Sequence, residues 1–474
     1  MARDRLSALD ASFLAAESPT AHMHVGWAAA FDPPADRVPP SFEALREHVA
    51  QRLKRSDRYR QRLAMVPFGI HDPLWVDDQE FDLDRHVVHA DSPALGEVVD
   101  RAMSVPLDRS RALWELWIAP RLDDGRIGVV GKAHHCMVDG LAAVELAALL
   151  LDPDERPEPI EPEPWQPRSS PGRLSLLAGA VADRAQEQLD LVRLQARLAS
   201  SPGRLVGLAG DARRATAALA HAFADRAPGS PLNEPISPYR HLAMVSRPLE
   251  ELKQIKQLCG TTINDVVLAV CAGAARRFLE HRGQAPVALK AMVPVSVRDA
   301  EDGSTLGNRI AFMFMRLPCD ETDPVRRLAE INRMTRERKR AGEPRGAEAL
   351  FGTVSHAPHT MQRLLTRLVA SPRTFNLVVS NIPGPAAELY MHGCRLAEAY
   401  PVVPLADRHA LSIGVTTVSG RACFGLYADH RSLPDADLLA RELDREVGEL
   451  LARIVEDPRP PRQSRSSRPL APAP

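Results

Sequence analysis

Residues His134-His135-Cys136-Met137-Val138-Asp139-Gly140 form an HHxxxDG motif directly behind a strand-like run, Arg126 to Ala133. An alcohol or amine is a poor nucleophile until a base removes its proton during attack. Imidazole titrates near neutrality, so it accepts that proton and later releases it. A strand that delivers His134 and His135 to a strand-to-helix junction therefore has the layout of a general base for acyl transfer, with His135 as the base. Asp139 lies four residues beyond His135, past a turn. Meeting an arginine there, it would fix the turn rather than touch substrate, and Gly140 permits the tight backbone. The structural alternative is two satisfied core histidines beside an ordinary Asp-Gly turn. The complete spacing on one junction favours chemistry.

The elements that must position this motif alternate along the chain. Residues 1–152 read as short strands and helices ending in the HHxxxDG strand and its following helix, in which Leu141 to Leu151 is a core helix. Residues 153–173 are rich in proline and acids and read as a linker over the surface. Residues 174–230 are helical and connecting. Residues 231–456 form a second alternating region, and 457–474 a tail too polar to fold. In the second region, 242–245 reads as a strand and 248–258 as a helix closed by Gly260. Thr262 caps a helix to about residue 280. Strands follow near 288–297, 310–317 and 375–380, and 411–417 with 422–428 make a hairpin about Ser419-Gly420. Alternation of this kind predicts mixed α/β architecture.

Composition narrows the function classes. At 474 residues the chain exceeds what one core usually serves, so two domains are expected. A net charge of -1 argues against nucleic acid. The 6 cysteines are scattered without a CxxC pair, the pattern of reduced thiols in a cytoplasmic protein. The amino terminus lacks a signal-peptide apolar stretch, and no run approaches the roughly 18 apolar residues of a spanning helix. No GxSxG elbow in plausible context, phosphate-binding loop or further metal-ligand set accompanies the histidines. No metal or organic cofactor is expected. His221 and His241 read as isolated surface or packing residues.

Further blocks accompany the motif in order: Leu6-Ser-Ala-Leu-Asp10-Ala-Ser-Phe13-Leu14, Met23-His24-Val25-Gly26, Tyr59-Arg60-Gln61-Arg62-Leu63, Pro73-Leu74-Trp75-Val76 and Pro106-Leu107-Asp108-Arg109 through Glu115. In the second half come Asn264-Asp265, Pro294 to Arg298, Leu306-Gly307-Asn308 and Ser380-Asn381-Ile382-Pro383-Gly384-Pro385. From about residue 6 to about residue 445 the chain resembles the bacterial wax ester synthase/diacylglycerol acyltransferases. The resemblance implies two chloramphenicol-acetyltransferase-like domains, each a mixed sheet flanked by helices, around a central channel. It implies fatty acyl-CoA as co-substrate, with diacylglycerol or a long-chain alcohol as acceptor. Diacylglycerol is favoured. One departure is Ala112 where the family usually has proline, which relaxes a fixed φ angle.

The remaining candidates each have a structural alternative. Asn264 and Asp265 open a helix, where an acid suits the dipole, and the resemblance gives the pair a supporting role in activity. Arg298 is the expected partner of Asp139, with Arg309 the weaker choice and a surface arginine the alternative; Ser296 supports the same strand end. Asn381 sits in a loop gripped by two prolines, either a structural turn or a donor toward the developing oxyanion. Leu113 and Trp114 either line an acyl channel or fill the core. Leucines 189, 191, 194 and 198 interleave with Arg193 and Arg197 at helical spacing, as a packing helix or one lying on a lipid surface. Peripheral contact with the inner membrane or lipid droplets follows from the second reading. A secondary-metabolite alcohol as acceptor, or a non-catalytic lipid-binding or droplet-coating role, are the competing functions.

Overall fold

The computed structural model describes residues 4–137, 149–158, 165–199, 225–296, 310–340, 371–385 and 387–456. Among them the strands are β1 (His24–Asp32), β2 (Gln61–Ala64), β3 (Leu74–Asp77), β4 (Val87–His89), β5 (Trp114–Ala119), β6 (Ile127–His134), β7 (Arg240–Pro248), β8 (Leu289–Ser296), β9 (Ile310–Leu317), β10 (Leu377–Ile382), β11 (Tyr390–Met391), β12 (Cys394–Val402), β13 (Leu411–Val418) and β14 (Arg421–Asp429). The helices used below are α1 (Ala8–Ala16), α2 (Phe42–Arg52), α3 (Leu95–Ser104), α4 (Arg173–Ala199), α5 (Leu249–Cys259), α6 (Ile263–His281), α7 (Pro324–Arg340) and α8 (Ala436–Glu456).

Two mixed six-stranded sheets organise these elements, in the orders β11-β12-β1-β6-β5-β4 and β7-β14-β13-β10-β8-β9. The expected mixed α/β class with two helix-flanked sheets is what forms. Sheet membership does not follow the halves of the sequence: β11 and β12, from residues 390–402, complete the first sheet beside β1. The local signals place the second sheet well. Gly260 ends α5 in the left-handed conformation at φ 62°. Ser419 and Gly420, both at positive φ, form the tight turn between β13 and β14. Residues 141–148 and 200–224, which hold most of the expected core helix and the second part of the connecting segment, lie outside the described residues, as do His221 and the tail.

His241 is not isolated. It begins the edge strand β7, and its Nδ1 lies 2.7 Å from Asp100 of α3 and its Nε2 3.2 Å from Asp437 of α8. Asp100 also accepts the Leu242 N–H at 3.0 Å, and Ser104 Oγ the Arg240 N–H at 2.9 Å. Helix α3 of the first half thus satisfies the open edge of the second sheet. The sequence hid this bridge because its three members are separated by more than a hundred residues.

The hydrogen bond that His241 donates to Asp100, opposed by burial and helped by both carboxylates, raises the His241 imidazole to about 9. A raised folded-state value adds stability that is fully present below about pH 6.5 and is lost as pH climbs through about 9. His241→Gln should therefore lower unfolding free energy by about 1–2 kcal/mol at pH 6, allowing for the exposure of Asp437, and by little at pH 10. Urea unfolding at the two pH values checks this; an equal loss at both would sink it.

Candidate functional site

Strand β6 is buried along its whole length and ends at His134; His135 opens the short 3-10 turn His135–Met137. Neighbouring backbone pins the junction from both sides. The His134 N–H donates to Leu113 O at 2.9 Å, and the His135 N–H donates to Met23 O at 2.9 Å. Met23 takes φ 50°, a left-handed conformation that costs a side-chain-bearing residue about 1–2 kcal/mol. That strain sits where a carbonyl meets the His135 N–H, as local strain at functional sites does.

The two imidazoles have different surroundings. His134 is buried; its Nδ1 accepts the Cys136 N–H at 3.1 Å, and its Nε2 lies 3.4 Å from Glu17 Oε2, close enough for electrostatic attraction but outside hydrogen-bond geometry. Burial would raise the Glu17 carboxyl, but the nearby His134 ring and the bonded Arg109 outweigh it and hold the group below its ordinary value. Arg109 Nε reaches Glu17 at 2.6 Å. His135 stacks on Phe13, with ring centroids 3.7 Å apart and planes 17° apart. Its Nδ1 is buried without a hydrogen-bond partner. Desolvation, aided by the nearby His134, pushes the His135 imidazole down to about 4. At neutral pH it is uncharged, the state a general base needs.

Across the ladder His24 pairs directly with His134, so both side chains project from the same sheet face. His24 is buried with neither ring nitrogen partnered, and burial plus the charge of Lys132 holds it well below its ordinary value. Lys132 is itself wholly buried. It donates to Ala102 O at 2.9 Å and Val105 O at 3.1 Å at the end of α3, and pairs with Glu115 at 2.7 Å. A cation at a helix carboxyl terminus satisfies carbonyls that the helix leaves open.

Leu113 and Trp114, read as lining an acyl channel or filling the core, pack in the core of the first sheet. They are 0% and 1% exposed, and the Trp114 indole donates to Tyr59 O at 2.7 Å and stacks on His86. Their bearing on the site is through the backbone, where Leu113 O holds His134. Asp265 fills the capping-box position of α6: its Oδ2 accepts from Thr262 N–H at 3.0 Å, Thr262 Oγ1 at 2.8 Å and Asn332 Nδ2 at 2.9 Å. Its other oxygen is buried and unpartnered. Asn264 is half-buried on the same first turn. Asn381 sits on β10, paired in parallel with Val415 of β13. Among the described residues no hydrogen bond joins Asn264, Asp265 or Asn381 to the histidines. Ser296 ends β8 opposite Ile310. Asp139, Gly140, Arg298 and Arg309 lie outside the described residues, so the Asp139–Arg298 pairing remains an expectation.

Phe13, Glu17, Arg109 and Met23 were not singled out from the sequence, although Phe13, Met23 and Arg109 lie in the blocks quoted above and Glu17 falls between two of them. Their spacing to His135 carries no local period, and only the fold joins them. The proline-gripped loop has its own signal in Gly384, where an added Cβ would lie 1.6 Å from Thr417 O. Gly384→Ala must therefore shift backbone, and we expect a loss of about 1–3 kcal/mol in urea unfolding. An unchanged midpoint would show that the loop yields freely.

The whole chain has relatives. Residues 6–267 match the wax ester synthase/diacylglycerol acyltransferase catalytic domain, and residues 306–451 match the WS/DGAT C-terminal domain. The probable diacylglycerol O-acyltransferase tgs1 of Mycobacterium tuberculosis is 32% identical over 470 residues, covering 95% of this chain and 96% of that protein. A wax ester synthase/diacylglycerol acyltransferase from Marinobacter aquaeolei VT8 superposes with a TM-score of 0.66 at 26% identity, over 95% of this chain and 99% of that one. The first condensation domain of the calcium-dependent antibiotic synthetase shares the fold, at a TM-score of 0.57 and 15% identity over 95% of this chain and 96% of that one. The chain belongs to the wax ester synthase/diacylglycerol acyltransferase family and is an acyltransferase.

Proposed function

We propose that the protein transfers a fatty acyl group from acyl-CoA to the free hydroxyl of diacylglycerol, with His135 as general base. The carrying observation is a neutral imidazole, stacked on Phe13 and making no side-chain hydrogen bond among the described residues, at the end of a fully buried strand. Its setting is a chain 32% identical to diacylglycerol O-acyltransferases over 95% of its length. His135 takes the hydroxyl proton as the alcohol oxygen attacks the thioester carbonyl carbon. The tetrahedral intermediate collapses, the C–S bond breaks, and the CoA thiolate leaves and takes the proton from His135. Both substrates meet at one base, so no acyl-enzyme is required. A positioned base supplies about 10²- to 10⁴-fold, and orientation with oxyanion stabilisation must supply the rest.

The acceptor is nearly insoluble in water, and one surface suits its source. Leu174, Ala178, Val181, Ala185 and Leu189 form an exposed stripe at helical spacing along α4. Beside it, the turn after β2 presents Phe68 91% exposed at φ 61°, and Arg184 on α4 donates to Ile70 O at 3.2 Å. These features support peripheral contact with the inner membrane or a lipid droplet. Among the described residues no single helix is long and apolar enough to cross a membrane. All six cysteines are free thiols, which supports a cytoplasmic setting.

Purified protein given labelled palmitoyl-CoA should esterify dioleoylglycerol in preference to hexadecanol, and His135→Ala should lose at least about 10²-fold. Ester formation undiminished in the variant would end the general-base assignment. Because the base must be unprotonated, kcat/KM should stay level from pH 8 downward and fall only as pH approaches about 4. A limb near 6.5 would mean that His135 is hydrated in the free enzyme.

A further inference from the structure

We propose that Glu17, paired with Arg109, is a positioning residue for the histidine pair: it holds His134 as the Nε2–H tautomer and so fixes the turn that carries His135. The inference rests on the acyl-transfer reading of His135.

Glu17 is the residue that caps the carboxyl end of α1, its N–H donating to Phe13 O at 3.1 Å. Phe13, one turn earlier, stacks on His135, while Glu17 meets His134. Residues four apart share a helix face, so one face of α1 addresses both imidazoles. His134 Nδ1 accepts the Cys136 N–H, which places the proton of the neutral ring on Nε2, 3.4 Å from the Glu17 carboxylate. The opposite tautomer would aim an N–H at the Cys136 N–H and leave that amide unpaired within the turn that begins at His135. Glu17 therefore acts on His135 through His134 and the Cys136 amide.

The choice of a carboxylate here opposes two physical costs. Its side chain is only 11% exposed, and it sits at the negative end of a helix dipole. Packing alone would be served by an apolar residue. Arg109 offsets both costs: it pairs with Glu17, and its Nη2 donates to Leu14 O at 3.2 Å, satisfying a carbonyl in the last turn of α1. A charge kept where burial and dipole disfavour it, and aimed at an imidazole next to the base, fits a group that sets that imidazole's proton.

The test combines histidine-ring 15N shifts with steady-state kinetics on the full-length protein, using palmitoyl-CoA and dioleoylglycerol. His134→Asn assigns the resonances. The wild type should show His134 with a pyrrole-type Nε2 and a pyridine-type Nδ1. In Glu17→Gln the two forms should mix, with kcat down about ten- to a hundredfold, KM for palmitoyl-CoA nearly unchanged and the melting temperature held. Glu17→Gln/Arg109→Gln removes the stranded arginine and should keep both the mixed tautomer and the kcat loss. An Nδ1–H form in the wild type, an unaltered kcat in Glu17→Gln, or full recovery of kcat in the double variant would each overturn the inference. Persistent activity in His135→Ala would instead remove the general-base reading, while the tautomer measurement would still stand.

Discussion

The site depends on how β6 stops. Successive amides of a central strand point to opposite neighbours, and at this terminus both still find partners, just beyond the ends of the flanking strands. His134 donates to Leu113 O ahead of β5, and His135 to Met23 O ahead of β1. Two neighbours that begin where β6 ends therefore fix its last residue and the first residue of the turn. Side-chain contacts alone would leave His135 on a fraying strand end. The left-handed strain at Met23 belongs to the same arrangement, because it turns one of those carbonyls toward the junction.

Polar side chains buried around this terminus follow one rule: charges are paired or cap backbone, and the desolvated imidazoles of His24 and His135 stay neutral. Lys132 closes the carboxyl end of α3 and meets Glu115, and Glu17 meets Arg109. Desolvation holds these two rings uncharged, and at His24 the charge of Lys132 adds to the effect. The unpartnered ring nitrogens of His24 are costly in a finished core.

Periodicity and capping chemistry made the second sheet legible. Gly260 and Thr262 bound α5 and α6 within a residue or two, and Ser419-Gly420 marks the β13–β14 turn. The HHxxxDG strand was read within one residue of β6. What stayed hidden was every pairing that joins distant parts of the chain. Nothing in Cys394–Val402 says that it will lie beside β1 rather than in the second sheet, because a half-buried strand pattern carries no address. Leu113 and Trp114 show the matching limit in the site: apolar residues near a catalytic motif look alike as tunnel or core, and their complete burial and the Trp114–Tyr59 bond come only from the fold. Glu17 was missed for the related reason that a lone acid after a helix reads as solvated until an arginine 92 residues away is placed on it.

The crossing strand bears on how the two halves act. With β12 on one flank of β1 and β6 on the other, β1 is held between a strand from the far half and the strand that ends in the histidines. Any movement of β12 relative to β6 must pass through β1, and β1 begins at the strained turn whose carbonyl fixes His135. Helix α3 also satisfies the edge of β7 through Asp100 and Ser104, and Arg240 of β7 donates to Thr20 O, two residues before His22. Contacts between the halves therefore lie on both sides of the segment 20–24: Arg240 at Thr20, and β12 along β1 from Gly26 onward. The second half thus touches the segment that leads into β1 and carries the Met23 carbonyl that fixes His135.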